Sequence, residues 1–166
     1  MPTPQEFILG EFPRTVDDRH RISIPQELVS LLLPEALLRE DSGCILAKER
    51  PGCLSLWNAS VWQTRTDQAV DLVKGKMRAG KLEGRLDDVQ RLARLLSTRH
   101  RIVQLTDRSR LLIPEGFREF LQSEANAEVM VVGAGVCLEI WHPRAWIGYV
   151  EGHMSEFREL FDRLSN

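Results

Sequence analysis

The sequence predicts an α+β fold in which two copies of one half-domain form a single mixed, β-barrel-like unit, accompanied by linker helices and a C-terminal helix. Three observations support this prediction: an internal repeat, short strand-like runs that alternate with helical stripes, and a balanced composition. Hydrophobic residues make up 43% of the 166 residues and charged residues 28%, which is typical of a globular chain. The repeat is the most informative of the three, because it divides the chain into equivalent parts.

The repeat consists of two blocks in the same order. Asp17–Leu32 aligns with Thr106–Leu121 at an offset of 89, with six identities in sixteen positions. Residues 53–62 align with residues 137–146 at an offset of 84, and two tryptophans in each block coincide. The change of offset predicts five extra residues in the first copy, which we place in the loop Leu33–Gly43.

Each copy begins with a predicted hairpin followed by a short helix. An extended stretch leads into a charged turn and then into a short apolar run that ends at a proline, which is the pattern of strand, turn and strand. The extended stretches are Phe12–Val16 and Ile102–Leu105. Pro25 and Pro114 end the apolar runs, and we predict them at the first position of a helix, where the fixed φ of proline is favourable.

A second strand pair is predicted in each copy. The strands are Cys44–Ala47, Cys53–Trp57, Val129–Val132 and Cys137–Trp141. Gly52 and Gly133–Gly135 are predicted to form the turns between them, since glycine is favoured in tight turns. Asn58 is then predicted to cap one helix, and Pro143 to be the first residue of another.

Amphipathic stripes predict the remaining helices. They run from Trp62 to Met77, from Leu86 to Leu96, and from Met154 to Leu164. Such stripes usually belong to a hydrophobic core, and a contact between subunits is the alternative. The predicted organisation is a first repeat at 9–60, linker helices at 61–99, a second repeat at 100–146 and a C-terminal helix at 147–166.

Composition and charge exclude several classes of protein. No apolar run approaches the roughly 18 residues that a membrane span requires, and the N-terminus shows no secretory signal, so a cytoplasmic location is expected. The three cysteines, Cys44, Cys53 and Cys137, are too few and too scattered for a disulfide framework, and their spacing fits no zinc site. We therefore expect buried structural cysteines, no metal and no cofactor.

Two arginine-rich turns are the candidate functional features. The net charge of the whole chain is −2, but residues 99–110 contain four arginines and one aspartate, and residues 14–21 contain three arginines and two aspartates. Surface fields depend on such local clusters. Arg19 and Arg21 flank one residue in the first turn, as Arg108 and Arg110 do in the second.

These arginines fit a nucleic-acid contact. In an extended segment residues two apart face the same side, so each turn is predicted to present two guanidinium groups together. Asp18 and Asp107, which lie beside them, are predicted to orient these groups. Guanidinium groups match phosphate oxygens and guanine edges, and a two-stranded hairpin fits the major groove of DNA. The alternative for either turn alone is a solvated turn whose arginines pair with neighbouring aspartates.

The repeated element, TVDDRHRISIP with CLSLWNASVW and LTDRSRLLIP with CLEIWHPRAW, resembles the MraZ family of AbrB-like swapped-hairpin repeats. The resemblance covers the chain from about Leu9 to Val150. Its hallmark is an aspartate four residues before an arginine, followed by an apolar run and a proline. Asp17, Arg21 and Pro25 match this hallmark in the first copy.

The second copy and both turns depart from the family pattern. Thr106 stands where the aspartate is expected, which removes a carboxylate that would orient Arg110. His20 and Ser109 replace the glycine that usually precedes the arginine. Either the turn avoids a positive φ here, or a strained positive φ is tolerated.

The resemblance implies a sequence-specific DNA-binding regulator, most often a repressor, of the division and cell-wall gene cluster. It implies binding to direct repeats in the promoter of its own gene, assembly into a homo-oligomeric ring, association with the nucleoid and no small-molecule substrate. The predicted DNA contacts are Arg19, Arg21, Arg108 and Arg110, with Arg14, His20 and Ser109 as secondary contacts, and the predicted orienting residues are Asp17, Asp18 and Asp107.

Three other functions are considered. An enzyme is disfavoured because the four histidines are dispersed and the sequence contains no nucleophile motif, phosphate loop or dinucleotide fingerprint. An oligomeric interaction module without DNA binding would fit the slightly acidic charge balance. An antitoxin-like regulator of the same hairpin class would usually be a shorter chain with one copy.

Overall fold

A computed structural model describes residues 7–34, 43–106 and 108–166. The strands are β1 (Ile8–Thr15), β2 (Arg21–Ser23), β3 (Gly43–Arg50), β4 (Cys53–Asn58), β5 (His100–Gln104), β6 (Arg110–Leu112), β7 (Glu128–Gly135) and β8 (Leu138–Trp141). The helices are α1 (Gln26–Leu32), α2 (Ala59–Arg78), α3 (Leu86–Arg99), α4 (Glu115–Leu121), α5 (Pro143–His153) and α6 (Phe157–Ser165), with a 3-10 turn at Met154–Glu156 between the last two. The predicted α+β class is confirmed. Residues 35–42, which make up most of the loop predicted to hold the five extra residues, lie outside the described residues.

The two copies exchange their first strands within one antiparallel sheet. The order of the six-stranded sheet is β1-β7-β8-β4-β3-β5. Strand β1 of the first copy pairs with β7 of the second, and β5 of the second copy pairs with β3 of the first. The central pair β4–β8 joins the copies directly. Each copy therefore completes the sheet of the other.

Strands β2 and β6 form a separate two-stranded ribbon, which we call the inter-copy ribbon. The register places Ile22 opposite Leu111. Backbone hydrogen bonds extend the pairing on both sides, from the Ile24 N–H to the Ser109 carbonyl at 2.8 Å and from the Ile113 N–H to the His20 carbonyl at 2.9 Å. The turn of each copy is thus attached to the strand of the other.

The expected barrel does not form among the described residues. The edge strands β1 and β5 are not paired with each other. The chain that follows each edge strand turns instead into the inter-copy ribbon, which is a sheet of its own. The barrel-like part of the prediction was therefore wrong for this part of the chain.

One hydrophobic core serves both copies. Ile22 and Leu111, from the ribbon, and Leu28 and Leu121, from α1 and α4, are almost completely buried in the same cluster. Leu54, in the central strand β4, is fully buried beside them. Because the cluster draws on equivalent positions of both copies, neither copy has a complete core of its own.

The predicted helix starts are partly confirmed. The Asn58 side chain accepts hydrogen bonds from the N–H groups of Ser60 and Val61, which makes it the cap of α2, and Pro143 is the first residue of α5. Pro25 and Pro114 lie one position before their helices instead of inside them. Their ψ angles of 131° and 153° are extended, so the helical conformation begins only at the following residue.

The predicted glycine turns are confirmed at Gly52 and Gly135 but not at Gly133. Gly52, with φ +83°, lies in the turn between β3 and β4, and Gly135, the last residue of β7 with φ +80°, lies in the turn to β8 that the Ala134 N–H closes on the Cys137 carbonyl at 2.9 Å. Gly133 lies within β7. A Cβ atom on Gly133 would lie 2.7 Å from the carbonyl oxygen of Ile8. The missing side chain lets β1 approach β7.

The helical stripes are not core. No residue of α2, α3, α5 or α6 is buried. The core is already filled by the sheet, the ribbon, α1 and α4, so these stripes lie outside it. The expectation of core packing was therefore wrong for the three predicted stripes, which lie mainly on α2, α3 and α6. None of the helices in the described residues combines the length and the apolar character needed to cross a bilayer.

Candidate nucleic-acid interface

The first turn is organised by the carboxylate of Asp17. The Asp17 N–H donates to the Arg21 carbonyl at 2.9 Å, and the His20 N–H donates to the Asp17 carbonyl at 3.0 Å. Asp17 Oδ1 accepts hydrogen bonds from the backbone N–H groups of Arg19 and Arg21, both at 2.9 Å. Its Oδ2 accepts from Arg21 Nε, also at 2.9 Å. One side chain therefore fixes both the turn and the guanidinium group.

The charge of Asp17 is stabilised by these bonds. The backbone N–H of Arg21 lowers the pKa of the Asp17 carboxyl most, and the Arg19 N–H and the Arg21 side chain lower it further against partial desolvation. The carboxylate is ionised at neutral pH. Because Arg21 is held through Nε, its two terminal amino groups can still face a ligand.

The second turn is closed by equivalent backbone hydrogen bonds, although Arg108, unlike Arg19, adopts a positive φ of +65°. The Thr106 N–H donates to the Arg110 carbonyl at 2.9 Å, and the Ser109 N–H donates to the Thr106 carbonyl at 3.0 Å. Thr106 Oγ1 donates to the Arg110 carbonyl at 3.3 Å. The hydroxyl closes the turn but makes no bond to the Arg110 guanidinium, so the two turns differ in how they orient their arginines.

Both residues that replace glycine adopt a left-handed conformation. His20 has φ +60° and Ser109 has φ +57°. Of the two possibilities that the sequence left open, a strained positive φ is the one that occurs. A left-handed conformation costs a residue with a Cβ roughly 1–2 kcal/mol.

The left-handed His20 changes which arginines share a face. The predicted alternation of Arg19 and Arg21 requires an extended residue between them, and that condition fails. Arg21 and Arg110 share a face instead. In the inter-copy ribbon Ile22 and Leu111 face the core, so the outward face contains Arg21, opposite Leu112, and Arg110, opposite Ser23.

The ribbon therefore brings one arginine from each copy together. Arg21 and Arg110 are diagonal neighbours across the two strands. Such neighbours on one face of a sheet lie roughly 7–8 Å apart. Arg19 and Arg108, at the tips of the two turns, are exposed.

The other candidate residues occupy supporting positions. Arg14 donates from Nε to the Ser23 carbonyl at 3.0 Å and from Nη1 to the Pro13 carbonyl at 2.8 Å, so it links β1 to the ribbon. Asp18 is exposed, and Asp107 lies outside the described residues. Only Asp17 of the three predicted orienting residues is seen to bind an arginine.

Two contributing residues were missed by sequence reasoning. Gln26 Oε1 accepts a hydrogen bond from Ser109 Oγ at 2.9 Å, which links the second turn to the first residue of α1. Arg118 Nε donates to the Ile113 carbonyl at 2.6 Å and braces the start of α4. Gln26 directly follows Pro25, and Arg118 lies one helical turn after Pro114, so their positions near the prolines could have drawn attention to them. Their hydrogen-bond partners could not be inferred from sequence spacing.

The cysteines are free and buried, as predicted. Burial raises the pKa of the Cys44 thiol to about 11 and that of Cys137 to about 12. Burial, followed by the carboxylates of Glu139 and Glu49, raises the pKa of Cys53 still further. A protonated, inaccessible thiol is a poor nucleophile. Within the described residues no group of three or more His, Cys, Asp or Glu side chains is placed to hold a metal ion.

These features define a duplicated α+β protein with an arginine-bearing ribbon formed jointly by its two copies. A family model described as "MraZ protein, putative antitoxin-like" matches residues 100–165. Three relatives match over most of their length, and each is named transcriptional regulator MraZ. The Roseiflexus sp. (strain RS-1) protein is 28% identical over 84% of both chains, and the Syntrophomonas wolfei protein is 26% identical over 95% of this chain and 96% of its own. The Thermus thermophilus protein is 26% identical over 86% of this chain and 86% of its own length.

The resemblance to the MraZ family that the repeated element predicted is confirmed. The family model covers the second copy and the C-terminal helices, and the relatives extend the match across the first copy.

Proposed function

We propose that this chain is a transcriptional regulator that binds double-stranded DNA through the outward face of the inter-copy ribbon. The observation that supports this function is the placement of Arg21 and Arg110 as diagonal neighbours on the outward face, with Ile22 and Leu111 of the same strands turned into the core. A two-stranded ribbon fits the major groove, and guanidinium groups bind guanine edges or phosphates. The names of the relatives agree with this class of function.

The four principal arginines divide into two pairs in this proposal. Arg21 and Arg110 lie on the ribbon and act together, whereas Arg19 and Arg108 extend from the turns to flanking phosphates. Asp17 orients Arg21 by its bidentate contact. In the second turn the position equivalent to Asp17 is Thr106, which has no carboxylate, so in this proposal Arg110 adapts more freely to its contact.

The secondary residues have mainly structural tasks. Arg14 positions β1 against the ribbon. The His20 carbonyl accepts a hydrogen bond from the Ile113 N–H, and the Ser109 hydroxyl donates one to the Gln26 side chain. Each is close enough to the turns to add a phosphate contact. Contacts to phosphate position a protein on DNA, and only contacts to base edges specify sequence.

The target follows from the resemblance. We propose that the chain binds direct repeats in the promoter of its own gene and represses the division and cell-wall gene cluster, in the cytoplasm and at the nucleoid. We further propose that it acts as a homo-oligomeric ring of swapped-hairpin repeats, with the repeat boundaries at 9–60 and 100–146 given above. Two ribbon arginines alone would bind weakly, and a ring would present many ribbons at once, which raises the effective concentration of each further contact.

The proposal is tested by binding of the purified full chain to the DNA immediately upstream of its own gene, followed by fluorescence anisotropy. The competitor is a scrambled duplex of the same length and composition. Preferential binding to the upstream duplex supports the proposed regulator. Equal, weak binding to both duplexes contradicts it and favours an interaction module without DNA binding.

A further inference from the structure

The outward face of the inter-copy ribbon contains one exposed leucine. All six residues of the two ribbon strands are described, and their burial alternates: Ile22 and Leu111 are buried, whereas Ser23 and Leu112 are exposed. Leu112 is 49% exposed and is the one apolar side chain of these six that faces outward. A scattered exposed leucine needs no explanation, but this one lies on the face that we propose binds DNA.

Leu112 lies directly opposite Arg21. The two residues are register partners across the ribbon, and directly opposed residues on one face have Cβ atoms roughly 4.5–5.5 Å apart. The Arg21 guanidinium is held by Asp17, whose Oδ2 accepts from Nε at 2.9 Å. Leu112 therefore presents its apolar surface beside a cation of fixed orientation.

The other end of the ribbon has a different composition. Ser23 occupies the position in the first copy that is equivalent to Leu112 in the second, and it lies opposite Arg110. The Ser23 carbonyl also accepts from Arg14 Nε at 3.0 Å. The ribbon thus combines an arginine with a leucine at one end and an arginine with a serine at the other.

The major groove of DNA offers one apolar group to such a leucine. The base edges there present hydrogen-bond donors and acceptors, with the C5-methyl group of thymine as the exception. Burial of a leucine against a polar edge leaves that edge without a hydrogen-bond partner, which is costly, whereas burial against a methyl group is favourable. Successive base pairs are about 3.4 Å apart, so two side chains roughly 5 Å apart at Cβ reach the same base pair or adjacent ones.

We infer that Leu112 contacts the C5-methyl group of a thymine, in the base pair that Arg21 contacts or in the adjacent one. Leu112 is then a specificity-determining residue, and the two ends of the ribbon read different base groups because Ser23 has no apolar side chain to place against a methyl group. The inference rests on the proposed binding of DNA by the ribbon and specifies one base group that the ribbon recognises.

Replacement of thymine by deoxyuridine tests the inference, because it removes the C5-methyl group and leaves the base pairing unchanged. Each thymine of a synthetic upstream duplex is replaced in turn, and binding of the full-length chain is followed by fluorescence anisotropy. We expect wild type to lose about threefold to fourfold in affinity at one thymine or more, the factor that burial of one methyl-sized group is worth. Leu112→Ser should bind the thymine and deoxyuridine duplexes equally. A leucine that acted only by packing within the ribbon would change both affinities by the same factor.

Two variants and one control separate the contact from the fold. Leu112→Ser introduces the residue that the first copy has at this strand position, and Leu112→Gln is a second polar variant that keeps the length of the side chain. Thermal unfolding shows whether each variant is folded. The matched control is Leu9→Ser, which removes a side chain that is 66% exposed on the edge strand β1. The control should keep the wild-type sensitivity to the methyl group.

The outcomes distinguish this inference from the proposed function. Methyl sensitivity that survives in the folded Leu112 variants overturns the inference, as does a wild type that prefers the upstream duplex but is insensitive to every replacement. Both results leave the proposed DNA binding intact. Loss of all preference for the upstream duplex in the folded Leu112 variants also overturns the inference, since a single methyl contact cannot account for the whole affinity. A wild type without preference for the upstream duplex overturns both the proposed function and the inference.

Discussion

Asp17 and Arg21 form a bidentate pair, in which Oδ1 accepts from the Arg21 backbone N–H and Oδ2 accepts from Nε, both at 2.9 Å. The equivalent residues of the second copy, Thr106 and Arg110, are joined only through backbone atoms and one hydroxyl. The two turns thus share their closing backbone hydrogen bonds but differ in how firmly each holds its arginine. This difference has a direct consequence for DNA binding.

We predict that Asp17→Asn weakens binding to the upstream duplex by at least about fivefold, the lower end of the loss expected for one well-oriented arginine contact. An amide cannot accept from both the backbone and Nε of Arg21 with the strength of a carboxylate. Asp18→Asn is the matched control, because it removes the same charge from an exposed neighbour. Equal losses in the two variants would show that local charge, and not orientation, is responsible.

The Asp17 pair also predicts a pH dependence of stability. Its hydrogen bonds lower the pKa of Asp17 in the folded state, so the carboxylate stabilises the fold above the ordinary aspartate pKa of about 3.9. That contribution is lost as the pH falls through the lowered folded-state pKa. We expect the difference in melting temperature between wild type and Asp17→Asn to be full at pH 7 and to shrink below pH 4. A difference that stays constant down to pH 3 would contradict the assignment.

The left-handed His20 predicts a stabilising substitution. His20→Gly should raise the free energy of unfolding by about 1 kcal/mol, because glycine adopts a positive φ without the steric cost of a Cβ. Urea unfolding measures the change. Ser23→Gly is the control, since Ser23 lies in a strand and glycine there should destabilise. A loss of stability in His20→Gly as large as that in Ser23→Gly would refute the claim of strain.

The shared core predicts that both copies unfold together. Leu54→Ala and the equivalent Leu138→Ala should each cost about 2–5 kcal/mol, because both side chains are fully buried. Each variant should show one unfolding transition by calorimetry. Leu72→Ala is the control on an exposed site and should change stability by less than about 0.5 kcal/mol. A second transition that neither core substitution moves would show that the copies have separate cores.

The buried cysteines predict slow thiol chemistry. With pKa values of about 11 for Cys44 and about 12 for Cys137, almost no thiolate exists at pH 8, and the side chains are inaccessible in the fold. A colorimetric thiol reagent should detect no rapid reaction with the native chain and three thiols in denaturant. Rapid reaction of any thiol in the native chain would contradict the described packing.

Local features of the fold were predictable from the sequence, whereas most contacts between the copies were not. The Asn58 cap follows from residue types within one turn, and the Asp17–Arg21 contact was expected from the family hallmark. The family resemblance named swapped hairpins without strand partners, and the exchange of β1 and β5 was not predicted, because periodicity does not specify the partner of a strand. Likewise, Gly133 suggested a turn, and only the approach of β1 explains it.

At the candidate site, too, the residues were predictable from the sequence but their contacts between the copies were not. The repeat identified the arginines, but the alternation rule paired them within each turn because it assumed an extended residue at His20. The positive φ of His20 breaks that rule, and the ribbon places Arg21 diagonally across from Arg110 of the other copy. The hydrogen bond between Ser109 and Gln26 joins residues that are 83 positions apart, and nothing in either sequence neighbourhood signals it.

The most direct test of the central claim is the salt dependence of DNA binding for wild type and for the double variant Arg21→Ala, Arg110→Ala. The control is Arg78→Ala with Arg94→Ala, which removes two exposed arginines from α2 and α3. If the ribbon binds DNA, the ribbon variant should lose at least about tenfold in affinity for the upstream duplex, and each lost phosphate contact should reduce the slope of log K against log salt by about one. The control should bind as wild type does. Equal affinities and slopes for the ribbon variant and the control would contradict the assignment of DNA binding to the ribbon.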